Sequence, residues 1–170
     1  MTRGPVLLWL IAMPACGMAA EYGGPLKDDA TVAFFGITFT DTSTEGAYDG
    51  ERADQTARVT LLEDEVRARF AHEGFMLLPT APVADKLDTI ANPADCNGCE
   101  VRFASELGAD YALVGEVQKV SNLILSMNLV MRDAGDGEMV RGLSVDIRSN
   151  TDESWLRGMR YIFKNHFFKN

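Results

Sequence analysis

Residues 111–147, YALVGEVQKVSNLILSMNLVMRDAGDGEMVRGLSVDI, decide the fold class. They read as three consecutive strands. YALVGEVQKV (111–120) is rich in β-branched and apolar residues. LILSMNLVM (123–131) alternates, with Leu123, Leu125, Met127, Leu129 and Met131 on one side and Ser126 and Asn128 on the other. A period of two marks a strand with one face buried. MVRGLSVDI (139–147) repeats the pattern and is expected to bury Met139, Leu143, Val145 and Ile147. The intervening DAGDGE contains Asp136-Gly137, a hairpin turn signal.

Downstream, the spacing predicts a helix over 152–168 with an apolar face of Trp155, Met159, Ile162, Phe163 and Phe167. Asn150 or Thr151 can cap it, and Asp152 and Glu153 suit the positive end of its dipole. Upstream, TVAFFGITF (31–39) reads as a buried strand. A polar loop follows, then a helix over 52–73 whose buried stripe is Val59, Leu62, Val66 and Phe70, ended by Gly74. FMLLP (75–79) is a short strand, 83–91 a short helix stopped by Asn92-Pro93, and 99–107 another helix stopped by Gly108. The order β-α-β-α-α-β-β-β-α predicts an α/β fold: a single-domain sandwich whose mixed sheet has a C-terminal antiparallel hairpin and covering helices. At 170 residues the chain suits one domain, assigned to 31–170, with 21–30 as a flexible lead-in.

The first twenty residues have the layout of a secretory signal peptide: Arg3, the apolar run PVLLWLIAM (5–13), then small residues in PACGMAA. The run is too short to span a bilayer as a stable helix, so no transmembrane segment is expected in the mature chain. Cleavage after Ala19 places Gly17 and Ala19 at the specificity positions. The competing outcome is a lipoprotein anchored through Cys16, although Met13 and Pro14 fit a lipobox poorly. Either way the expected location is the bacterial periplasm. Arg3 is the only charge in 1–20, so losing that segment takes the formal charge from −9 to −10. So acidic a surface argues against nucleic acid as a partner.

After removal of the signal peptide, the cysteines that remain are Cys96 and Cys99, and an even count in an oxidising space favours a disulfide. At this spacing the same thiols suit a redox-active pair or two ligands of a soft metal. The acidic loop offers Asp41, Glu45 and Asp49 as candidate ligands for a hard cation, against the plainer reading of a solvated loop. The segment from Asp146 and Arg148 through Asn150 and Asp152 to Trp155 is dense in hydrogen-bonding groups. It is a candidate corner for a ligand or partner, with Arg148 expected to pair with Asp146 or Asp152. The sequence holds no GxSxG, HExxH, phosphate-loop or GxGxxG motif, so neither a catalytic residue nor a cofactor is assigned.

At KVSNLILSMNLVMRDAGDGE and SVDIRSNTDESWLRGMRYIFKN the chain resembles a bacterial domain-of-unknown-function family of exported proteins encoded near periplasmic quinoprotein alcohol dehydrogenases. The resemblance covers 31–168 and includes Cys96 and Cys99; Ser149 stands where the family pattern has a glycine. LGADYALVGEVQKV with its hairpin is similar to the α/β domains of envelope accessory proteins, the N-terminal domain of TolB and CsgG. These resemblances imply a non-enzymatic periplasmic accessory or binding protein, linked to alcohol oxidation, whose partner is an envelope protein or small ligand. The alternatives are a thiol–disulfide protein using Cys96 and Cys99, and a metal-binding chaperone using the acidic loop.

Overall fold

The structure is a computed structural model that describes residues 22–169. The expected signal peptide and Cys16 lie outside the described residues. The strands are β1 (Thr31–Asp41), β2 (Met76–Leu77), β3 (Tyr111–Ser121), β4 (Ile124–Asp133) and β5 (Met139–Arg148). The α-helices are α1 (Thr44–Asp49), α2 (Ala53–His72), α3 (Ala84–Leu87), α4 (Cys99–Glu106) and α5 (Asp152–Ile162). One mixed sheet runs β2-β1-β3-β4-β5. β1 is parallel to β2 and β3, and the β3–β4–β5 meander is antiparallel. The α/β sandwich, the mixed sheet and its C-terminal hairpin match the expectation from sequence.

The sheet separates two cores. On one face α2 and α5 bury Leu62, Val66, Phe70, Trp155, Met159 and Ile162 against Leu113, Leu125, Met127, Leu129 and Met131. On the other, α4 and the 81–98 segment close over Ala33, Phe35, Ala112 and Val114 with Val83, Cys99 and Phe103. All five apolar residues assigned to the last helix are buried. That helix ends at Ile162, however, and a wide π turn over Phe163–Phe167 completes it, with Phe168 N–H donating to the Phe163 carbonyl at 2.9 Å. The wider turn brings Phe163, Phe167 and Phe168 round the ring of Phe70.

Two bulges reset which residues face inward. In β1, Val32 and Phe34 face α2, then Gly36 at φ +87° adds a residue, and Ile37 takes over the inward position. Ile37 N–H leaves the ladder and donates to Glu63 Oε1 on α2 at 3.0 Å. In β5, Arg132 pairs with Met139 but Met131 pairs with Arg141, which leaves Val140 as the extra residue. Val140 is therefore buried, and Met139 turns outward, contrary to the simple alternation. Leu143 and Val145 are half-buried because β5 is an edge strand. Leu123 falls in the two-residue turn between β3 and β4 and is exposed, not buried.

Three further expectations change in detail. The acidic loop contains a helical turn, α1, because Ser43 Oγ accepts the Gly46 N–H as an N-cap. FMLLP pairs only at Met76 and Leu77; Leu78 N–H still donates to Val32, and Pro79 has no N–H to continue the ladder. Residues 22–30 lie against the sheet, not loose: Gly23 N–H donates to the Val140 carbonyl and Lys27 N–H to the Tyr111 hydroxyl.

Candidate functional site

β2 is two residues long and β1 is eleven, so most of β1 has no neighbour on its β2 side. A cleft of about 750 Å³ runs along that free edge, lined by Ile37 to Asp41. The start of α2 forms one wall with Arg52, Gln55, Thr56 and Val59, and Ala91 and Asn92 form the other. The two walls belong to connections that leave the carboxyl ends of β1 and β2 over opposite faces of the sheet. In open α/β sheets such a crevice is where ligands bind.

Asp41, which lines the cleft, and the charged groups bonded to that lining are internally satisfied. Lys119 is 1% exposed, and its Nζ pairs with Asp41 Oδ2 at 2.8 Å. Asp41 Oδ1 also accepts the N–H and the hydroxyl of Ser43. Burial pushes the Asp41 carboxyl up, but the hydrogen bonds from Lys119 and Ser43 outweigh it and hold the group below its usual value. Glu63 is held by Ile37 N–H and Arg67. Gln55 differs. It is 3% exposed, and its Nε2 has no hydrogen-bond partner. A buried donor without an acceptor costs about 1–3 kcal/mol. Sequence reading missed Gln55, though it extends the Val59, Leu62, Val66, Phe70 stripe by one turn.

The acidic candidates do not converge. Asp41 is committed as above, Glu45 accepts from Asn122 Nδ2 at 3.3 Å, and Asp49 lies 3.8 Å from Arg52. The ligand corner divides in two. Asn150 Oδ1 accepts Trp155 Nε1–H at 3.0 Å, and Asp152 pairs with Arg58 of α2 at 2.9 Å rather than with Arg148. These contacts lock the start of α5 to α2, and Trp155 is wholly buried. Asp146 and Arg148 sit apart on exposed β5, beside a shallower cleft of about 350 Å³ with Arg157 and Tyr161.

Cys96 and Cys99 lie at disulfide distance at the start of α4. Cys96 Sγ accepts the Cys99 N–H at 3.2 Å. Among the described residues, the metal-ligating atoms that gather are those of Cys96, Cys99 and Glu100, within 4.8 Å of one another. Glu100, which sequence reading did not single out, is buried and pairs with Arg132 at 3.3 Å.

No helix among the described residues is long and apolar enough to cross a membrane. No curated protein matches the chain. Among solved structures it is similar to the LpoB C-terminal domain from Salmonella enterica, at 14% identity and TM-score 0.50, over 73% of this chain and 86% of that one. Lipoprotein GNA1162 from Neisseria meningitidis is similar at 16% identity and TM-score 0.48, over 72% of this chain and 83% of that one. The PelC dodecamer from Paraburkholderia phytofirmans follows at 10% identity and TM-score 0.48, over 82% and 89%. At these identities the likeness to LpoB speaks for the fold alone. The family described as "DUF3280: Protein of unknown function (DUF2380)" matches residues 30–167, and the chain belongs to it.

Proposed function

We propose that the chain is a non-catalytic accessory domain of the bacterial envelope, which binds an envelope protein or small ligand in the cleft beside β1. The observation that carries this reading is Gln55, buried in the cleft wall with its amide unpaired. Asp41, which lines the cleft, is bound to Lys119 and Ser43, which supports binding over turnover. Export rests on the signal-like segment 1–20, and the link to alcohol oxidation rests on the sequence resemblance at 119–138 and 144–165. Thr56 is exposed at the cleft, so Thr56→Arg fills it without touching a core. Affinity purification of the full chain from envelope extract is expected to recover a partner that Thr56→Arg loses, with circular dichroism unchanged. Equal recovery by both proteins would sink the cleft as the binding site.

A second reading is favoured by the surroundings of Cys96. Cys96 stands just before α4 and Cys99 is its first residue, the placement of a redox pair at the start of a helix. Thiol–disulfide exchange would then be the activity, measured as the reduction potential of the pair against glutathione. A strongly reducing potential with no exchange would leave a structural bridge.

A further inference from the structure

We infer that the cleft takes an extended segment of a partner protein as an added strand on the free edge of β1. The inference rests on the cleft being the binding site and names what fills it. The argument begins with the ladder. Thr38 and Thr40 are in register with Glu116 and Gln118, and Thr42 N–H donates to the Lys119 carbonyl. In a parallel pair alternate residues bond the neighbour, so Thr38 and Thr40 turn their N–H and C=O groups to β3. Phe39 and Asp41 therefore turn theirs the other way, into the cleft. Ile37 confirms the parity, since its N–H points outward and is met by Glu63 Oε1. A row of backbone donors and acceptors thus lines the cleft beyond Glu63, as in other sheets that bind peptides by strand addition.

The walls define what the added strand carries. Ile37 and Phe39 face the α2 side with Val59 and Gln55, so side chains on that face of the partner are apolar, with a backbone or side-chain acceptor for Gln55 Nε2. Thr38, Thr40 and Asn92 offer polar contacts on the other face. Glu51 is exposed at the lip, Glu45 and Asp49 lie on adjacent α1, and the chain's formal charge is −9. Arg52 is tied to Asp49 and Asp54. The complementary segment is therefore basic as well as alternating. Proline is excluded where the segment must donate to Phe39 or Asp41 carbonyls. Ile37 to Asp41 spans about 13 Å at roughly 3.3 Å per residue, enough for four or five residues of partner.

The test is a phage-displayed library of random decapeptides, panned on the full chain with Thr56→Arg as counter-selection. Enriched peptides are expected to alternate apolar with Lys or Arg. With a selected peptide bound, amide exchange of Phe39 and Asp41 should slow at least tenfold. N-methylation of the peptide at alternate amides should weaken binding at least tenfold in one parity and little in the other. Gln55→Leu, which keeps the side chain's bulk, should weaken binding several-fold while the fold survives. Strand addition is overturned if no peptide is enriched over the Thr56→Arg background, or if binding ignores N-methylation in both parities. If Thr56→Arg still abolishes recovery of the envelope partner in that case, the cleft remains the binding site and its occupant is not a strand.

Discussion

At the scale of single residues, Lys119 is the group whose position has the largest energetic consequence. An ammonium buried to 1% exposure is tolerated because Asp41 neutralises it at 2.8 Å. Asp41→Ala leaves that charge unpaired, and should cost about 3–5 kcal/mol in urea unfolding. Adding Lys119→Met should restore most of the loss, though not the part due to Ser43, which loses its acceptor in either variant. Strictly additive effects of the two substitutions would refute the pairing. A pH profile follows with a definite sign. Asp41 and Asp110 both have carboxyls lowered from the ordinary 3.8, Asp110 chiefly by the Thr31 N–H and then by Lys27. A lowered group stabilises the fold above its unfolded value and loses that contribution as pH falls through its folded value. Stability from these two groups should hold at neutral pH and drop below about pH 4, with a shallower drop in Asp110→Asn. Residue type alone revealed little of this. Asp41 looked like one acid among several in a polar loop, and only the fold places Lys119 beneath it. Gln55 was more legible, since its spacing already set it on the buried stripe of α2.

Among the elements, periodicity was a good guide where the backbone is regular and failed where a bulge intervenes. The faces of α2, α5 and β4 follow from spacing, because each is a regular element with one buried side. TVAFFGITF reads as a run buried on both faces, and such a run hides the change of face at Gly36. The cleft was illegible for a related reason: it exists because β2 stops after Leu77, and a short strand looks like a longer one until its pairing is known. Two glycines make these placements testable. A Cβ on Gly36 would stand 2.8 Å from Glu63 Oε1 at a φ of +87°. Gly36→Ala should cost about 1–3 kcal/mol; in a Glu63→Ala background, which already lacks the acceptor for Ile37 N–H, the same substitution should cost less, leaving the left-handed backbone strain. A Cβ on Gly158 would stand 2.5 Å from Ile147 Cγ2, where α5 rests on β5. Alanine is the better helix former by about 1 kcal/mol, yet Gly158→Ala should destabilise by about 1–3 kcal/mol because contact outweighs propensity. A gain in melting temperature would mean that α5 sits farther from the sheet.

For the whole molecule, the decisive feature is that the sheet divides two cores of unequal size. The larger, under α2 and α5, holds most of the aromatic rings; the smaller depends on Val83, Cys99, Phe103 and Phe35 beneath short helices and turns. A bridge between Cys96 and Cys99 closes a ring of about four residues, which chain entropy values at roughly 2 kcal/mol. In a domain of this length that is a shift of about 4–8 °C in melting temperature. The loss on reduction should be local. Amides of α4 and 81–98 should exchange faster once the thiols are free, while those of α2 and α5 keep their protection, because the sheet stands between the two layers. Chain recovered after export should begin at Ala20 and show no reactive thiol. The same domain made in a reducing cytosol should show two, with the lower melting temperature. If the exported form carried free thiols at unchanged stability, the bridge would have no structural role. The packing of Glu100 against Cys96 at 3.3 Å would then have to be explained by exchange chemistry instead.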